Sequence, residues 1–125
     1  MGEVVLICGG RDFTNVRFIE AMLTKELGGR ELDYVVTGGA RGADATADKV
    51  CEMNGVQRVI VPANWAGRGI KAGMERNALM LKLFPVTLVI AFPGGVGTAG
   101  MVRLARTQGI FTIEYVNTLS EPYRA

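Results

Sequence analysis

The sequence predicts a doubly wound α/β domain, with a Rossmann-like, five-stranded parallel sheet in the strand order 3-2-1-4-5. Three observations predict it. Short apolar runs alternate with helical patterns along the chain. The runs are apolar without interruption, as strands buried on both faces are. Several of them end in paired glycines, and Gly is the compositional outlier at 17 of 125 residues, about twice the ordinary share. Parallel strands joined by helices need right-handed crossovers, which place helices on both faces of the sheet.

Each element has its own warrant. Val4 to Cys8 is an apolar run ended by Gly9-Gly10, and from Asn15 to Leu27 the residues Val16, Ile19, Leu23 and Leu27 recur at helical spacing before Gly28-Gly29. Tyr34 to Thr37 forms the second strand, followed by Gly38-Gly39 and a helix over 43–53. Arg58 to Val61 is the third strand, ended by Pro62, and a Gly-rich loop leads into a helix over 71–83. Val86 to Ala91 is the fourth strand, broken by Pro93-Gly94-Gly95, with a helix over 98–107 and a last strand at 110–115. A single domain over 1–117 and a polar tail at 118–125 are expected, since 49% hydrophobic and 21% charged residues suit one packed core.

Composition excludes several chemistries. With no His, neither a Ser-His-Asp triad nor a His-ligated metal site can be built. Cys8 and Cys51 stand far apart in apolar surroundings, so buried, reduced thiols are expected, and no metal site. A net charge of +2 and 7% aromatic residues offer little to a nucleic-acid strand. The longest apolar stretch, Phe84 to Phe92, is well short of the ~20 residues of a membrane span. No export-type pattern opens the chain, and a cytoplasmic protein without membrane partners is expected.

In doubly wound sheets, ligands bind beyond the carboxyl ends of the strands where the strand order reverses. Three glycine turns reach that rim: Gly9-Gly10-Arg11-Asp12-Phe13, Gly38-Gly39-Ala40-Arg41-Gly42, and Pro93-Gly94-Gly95-Val96-Gly97-Thr98. The turns are expected to converge on one anionic group, held by unpaired amides and the positive ends of the helices. Arg11, Arg41, Arg76 and the adjoining Asn77 are candidates to complete the site, because a guanidinium fork matches phosphate oxygens. Each feature also has a plain structural reading. A glycine pair serves any tight turn, Asp44 and Thr98 suit helix N-caps, and Trp65 serves as a loop anchor or as a base-stacking platform.

Gly95 to Gly100 fits G-x-G-x-x-G between a strand and a helix, with Glu114 near the acidic position beyond the next strand. Only one strand follows, so the two mononucleotide halves of a nicotinamide dehydrogenase cannot be built in the usual order. The helix over 71–84 is apolar nearly all round below Arg76, which points to homo-oligomerisation through it or to a buried crossover.

Taken in order, GGRDF at 9–13, VVTGGARGADATA at 35–47, PANW at 62–65, AGMERNALM at 72–80 and AFPGGVGTAGMVRLAR at 91–106 resemble the SLOG superfamily. That Rossmann-like group includes the LOG phosphoribohydrolases and DprA-like proteins, and the likeness is to its small YspA-related branch. The resemblance implies a nucleotide or phosphoribosyl ligand, with no cofactor required. The phosphoribohydrolases pair PGG-x-GT with a Glu three residues beyond the Thr. Pro93, Gly94, Gly95, Gly97 and Thr98 match, as do Glu75 and Arg76, but Asn77 replaces a basic residue and the Glu falls on Met101. Met cannot stabilise an oxocarbenium-like sugar or orient water. The resemblance therefore implies nucleotide binding, or else hydrolysis of an N-glycosidic bond by a relocated carboxylate, for which Asp12, Asp44 and Glu75 are candidates.

Overall fold

The structure, a computed structural model, describes residues 2–63 and 70–116. Nine elements follow one another: β1 (Glu3–Cys8), α1 (Val16–Leu27), β2 (Leu32–Thr37), α2 (Ala43–Met53), β3 (Arg58–Ile60), α3 (Ile70–Leu83), β4 (Leu88–Ala91), α4 (Val96–Thr107) and β5 (Phe111–Glu114). All strands are parallel, in the order β3-β2-β1-β4-β5. The order reverses between β1 and β4, as the sequence predicts.

The boundaries differ from expectation at a few ends. β4 begins at Leu88 rather than Val86, because Pro85 interrupts the chain and the Val86 amide turns back onto the Phe84 carbonyl at 2.8 Å. α4 begins at Val96, two residues early, so the glycine turn itself supplies the first helical residues. α1 is capped by Asn15, whose side-chain oxygen accepts the Phe18 amide at 3.0 Å. It closes where the Gly28 amide returns to the Thr24 carbonyl at 2.9 Å.

Alternate residues of the strands feed two cores, because successive side chains leave a strand on opposite faces. Val5, Ile7, Val35, Leu88 and Ile90 pack with Phe18, Ile19, Met22 and Leu23 of α1 and Ala47, Val50 and Cys51 of α2. Val4, Leu6, Val36 and Val89 pack with Met80 and Leu81 of α3 and Met101 and Ala105 of α4. α1 and α2 therefore cover one face, and α3 and α4 the other.

Beneath the rim on the α1 side, four rings interlock. Phe13 and Phe92 stack at 5.7 Å, Phe92 and Tyr115 stack at 5.7 Å, and Phe18 meets all three edge-on. This cluster ties the turn after β1 to the ends of β4 and β5. Phe18 is fully buried there, so Phe18→Ala is expected to cost about 3–5 kcal/mol. Thermal unfolding should show a melting temperature lower by more than about 10 °C.

Candidate functional site

The rim is built from the three turns after β1, β2 and β4. They meet backbone to backbone. The Gly10 amide donates to the Pro93 carbonyl at 2.9 Å, and the Gly10 carbonyl accepts the Ala43 amide at 3.0 Å and the Phe13 amide at 3.2 Å. Gly42 makes this closeness possible. It has φ +84, and a Cβ there would overlap the carbonyls of Gly10 and Arg11. Gly9, Gly10, Gly42 and Gly94 are thus used in packing turn on turn.

The turn after β2 carries its own anion. Asp44 Oδ2 accepts the Gly38 amide at 3.1 Å and the Ala40 amide at 3.3 Å. From the opposite helix layer, Arg76 of α3 donates Nη1 to the Gly38 carbonyl at 2.9 Å and Nε to Asn77 Oδ1 at 3.3 Å. Asn77 in turn donates Nδ2 to the Gly97 carbonyl of α4 at 3.2 Å. Arg76, Asp44, Gly38, Asn77 and Gly97 therefore form one connected set. A Cβ at position 38 would overlap the guanidinium and the carboxylate together, which is why a glycine stands there.

Asp44 and Thr98 are not N-caps. Gly42 and Gly95 occupy those positions, with no side-chain hydrogen bond, and Asp44 and Thr98 lie inside the first turns. Gly42, with φ +84, and Gly95, with φ −105 and ψ −140, take irregular cap conformations at the sharp turns, which shifts the polar residues into the helix.

The other expected residues lie around this set. Arg41 pairs with Asp12 at 3.8 Å, both side chains being largely exposed, so their attraction is weakened by water. Arg11 and Glu75 are exposed, the one beside Gly10 and the other beside Arg76. Gly39 has φ +68 and faces the Ile60 side chain. Trp65 lies outside the described residues.

The first turn of α4 is arranged differently. Among the described residues, nothing accepts the amides of Val96, Gly97 or Thr98, which are orphan donors of a helix start. Gly95 and Gly97 have open space where a Cβ would stand. This turn presents unused donors at the switch point.

Burial governs the titrating groups. It pushes the Asp44 carboxyl up from 3.8 to about 6, with Asp48 adding to the rise against the Ala40 amide, Arg76 and the Gly38 amide. Asp48, bonded by the Thr37 hydroxyl at 2.9 Å, is also raised by burial, with Thr37 and Arg58 opposing. The half-buried Cys8 thiol is raised by burial first and then by Asp44, and Cys51 is pushed up to about 11, so neither is a poised nucleophile. Among the described residues, no His, Cys, Asp and Glu cluster could hold a metal, and no helix is long and apolar enough to cross a membrane.

A doubly wound domain with glycine turns gathered at its switch point is a Rossmann-like fold. The chain belongs to the YspA, cpYpsA-related SLOG family, whose family model (YAcAr) matches residues 3–67. It is also similar to the Gene 61 protein of Mycobacterium phage D29, with 35% identity over 119 residues, 89% of this chain and 94% of that protein. Family membership supports a nucleotide-related binding or activity.

Because Asp44 holds its proton more tightly when folded, its contribution to stability is greatest below about pH 4 and is lost as pH rises through about 6. The difference between about 6 and 3.8 corresponds to about 3 kcal/mol. Urea unfolding of wild type and Asp44→Asn from pH 3.5 to 7.5 should show wild type losing that much relative to the variant.

Proposed function

We propose that this protein binds a nucleotide or nucleotide-derived ligand, of phosphoribosyl or ADP-ribose type, as a cytoplasmic sensor or sequestering protein. The ligand's phosphate sits on the first turn of α4, over Gly95, Val96, Gly97 and Thr98. The observation that carries this reading is the row of orphan amides there, beside glycines that leave their outer side open. Such a helix start offers partial positive charge and aimed donors, and an anion satisfies both. Arg76 and Asn77 act by positioning, since their side chains hold the turn after β2 and the Gly97 carbonyl in place. Gly38 and Gly39 belong to the wall of the site, because the nearby amides already serve Asp44. No cofactor is needed for binding.

Binding is favoured over N-glycosidic cleavage by two observations. Met101 is fully buried in the core, where the phosphoribohydrolases carry their Glu. Asp44, the buried carboxylate among the candidates, is engaged with two amides of its own turn. Self-association through α3 completes the reading, because Met74, Leu79 and Leu83 remain 64%, 43% and 57% exposed on that helix.

Calorimetry with a panel of mononucleotides and ADP-ribose tests the reading. Wild type should bind at least one member saturably and return it intact on chromatography after incubation. Gly97→Asp should weaken binding at least tenfold, since a carboxylate then occupies the anion seat. The same change should leave thermal stability equal or higher, because an acidic residue suits a helix start. No heat with any member would refute the reading. For the oligomer, Leu79→Lys should lower the mass measured by sedimentation equilibrium; an unchanged mass would remove α3 as the interface.

A further inference from the structure

The unit β4–α4–β5 contains more than a phosphate seat. Its second strand ends on Glu114, nineteen residues beyond Gly95. Glu114 is paired in register with Ala91, the last residue of β4 before the glycine turn. Its neighbours Ile113 and Tyr115 pack into the α1 core, so Glu114 leaves the sheet on the α4 face. The Cys8 thiol at the end of β1 is influenced by Glu114 as well as by Asp44 and Arg76, which brings Glu114 to the same rim.

A groove of about 500 Å³ runs between α4 and β5. Ala99, in the first turn of α4, and Glu114 of β5 both line it, together with Val102, Arg103, Arg106 and Thr107. The volume falls within the range of small-ligand sites. Glu114 Oε1 accepts from Arg106 Nη1 at 3.4 Å, a long contact in which the Glu114 side chain is 31% and the Arg106 side chain 56% exposed. Among the described residues, no donor serves Oε2. Water and a partly exposed Arg compete weakly for such a carboxylate, so a pair of hydroxyl donors can displace them.

We propose that Glu114 accepts the 2′- and 3′-hydroxyls of the ligand's ribose, whose base lies along the α4–β5 groove. The proposal rests on the reading of the α4 turn as the phosphate seat and adds the sugar and its discrimination. A carboxylate has two oxygens for the two donors of a cis-diol, and it stands at the strand end next to the helix that holds the 5′-phosphate. A 2′-deoxy sugar leaves one of those hydrogen bonds unmade. A site built around such a bond rejects the analogue that lacks it.

The test is calorimetry of wild type, Glu114→Ala and Glu114→Gln with the four ribonucleoside 5′-monophosphates and their 2′-deoxy counterparts. Wild type should prefer the ribose form of whichever base it binds by about tenfold or more. Glu114→Ala should bind the two sugars equally, the ribose form losing both hydrogen bonds and the deoxy form only that of its 3′-hydroxyl, so the ribose form loses about tenfold more. Glu114→Gln, which keeps one acceptor, should fall between wild type and Glu114→Ala. Equal affinity of wild type for both sugars, or an equal loss of both in Glu114→Ala, overturns the role of Glu114 while leaving the phosphate seat standing. Absence of binding by wild type to either series and to ADP-ribose overturns both readings together.

Discussion

The peptide groups on either side of Gly38 are held from both layers of the domain. The amide is bound by the Asp44 carboxylate from α2, and the carbonyl by the Arg76 guanidinium from α3. Helices on opposite faces of a sheet are normally separated by it, and here they meet over the end of β2. A side chain at that position would push both partners away. Much of the rim's geometry follows from this junction: Arg76 orients Asn77, Asn77 fixes the Gly97 carbonyl, and so the start of α4 is set relative to the end of β2.

The junction also assigns different work to similar-looking turns. The turns after β2 and β4 are both rich in glycine and both open a helix, yet one has an internal carboxylate where the other has open donors. Charges around the rim are largely matched, with Arg76 near Asp44, Arg41 by Asp12 and Arg106 by Glu114. Affinity for an anion would then come from aimed backbone dipoles more than from net charge. That kind of attraction is short-ranged and depends on placement.

The fold was legible because its signals are local. Uninterrupted apolar runs such as Val4 to Cys8, and helical spacing such as Val16 to Leu27, depend on neighbours in the chain, and glycine pairs punctuate them. The limits of α2 at Ala43 and Met53 follow in the same way. The convergence of the turns was legible from topology. The partners of Asp44 and Arg76 were not, because Arg76 meets Gly38 across 38 positions of chain. Cap preferences misled at Asp44 and Thr98: a polar residue near a helix start is an ordinary cap, but the unusual backbone angles at Gly42 and Gly95 take that place. Nothing in the sequence distinguishes an amide claimed by Asp44 from one left open at Val96. Glu114 was visible through its spacing from the glycine motif, whereas its position beside a groove needed coordinates.

The sheet tapers toward its margins. β1 and β2 have six residues each, but the outermost strands, β3 and β5, have only three and four. A row of unpaired backbone groups on an outer strand is a template on which another chain can add itself, and brevity is one of the ways proteins blunt it. Here the exposed rows are too short to hold a sixth strand in register, even though Ile60 and Phe111 would make them sticky. Accretion of copies edge to edge into fibres is disfavoured by the outline of the sheet itself.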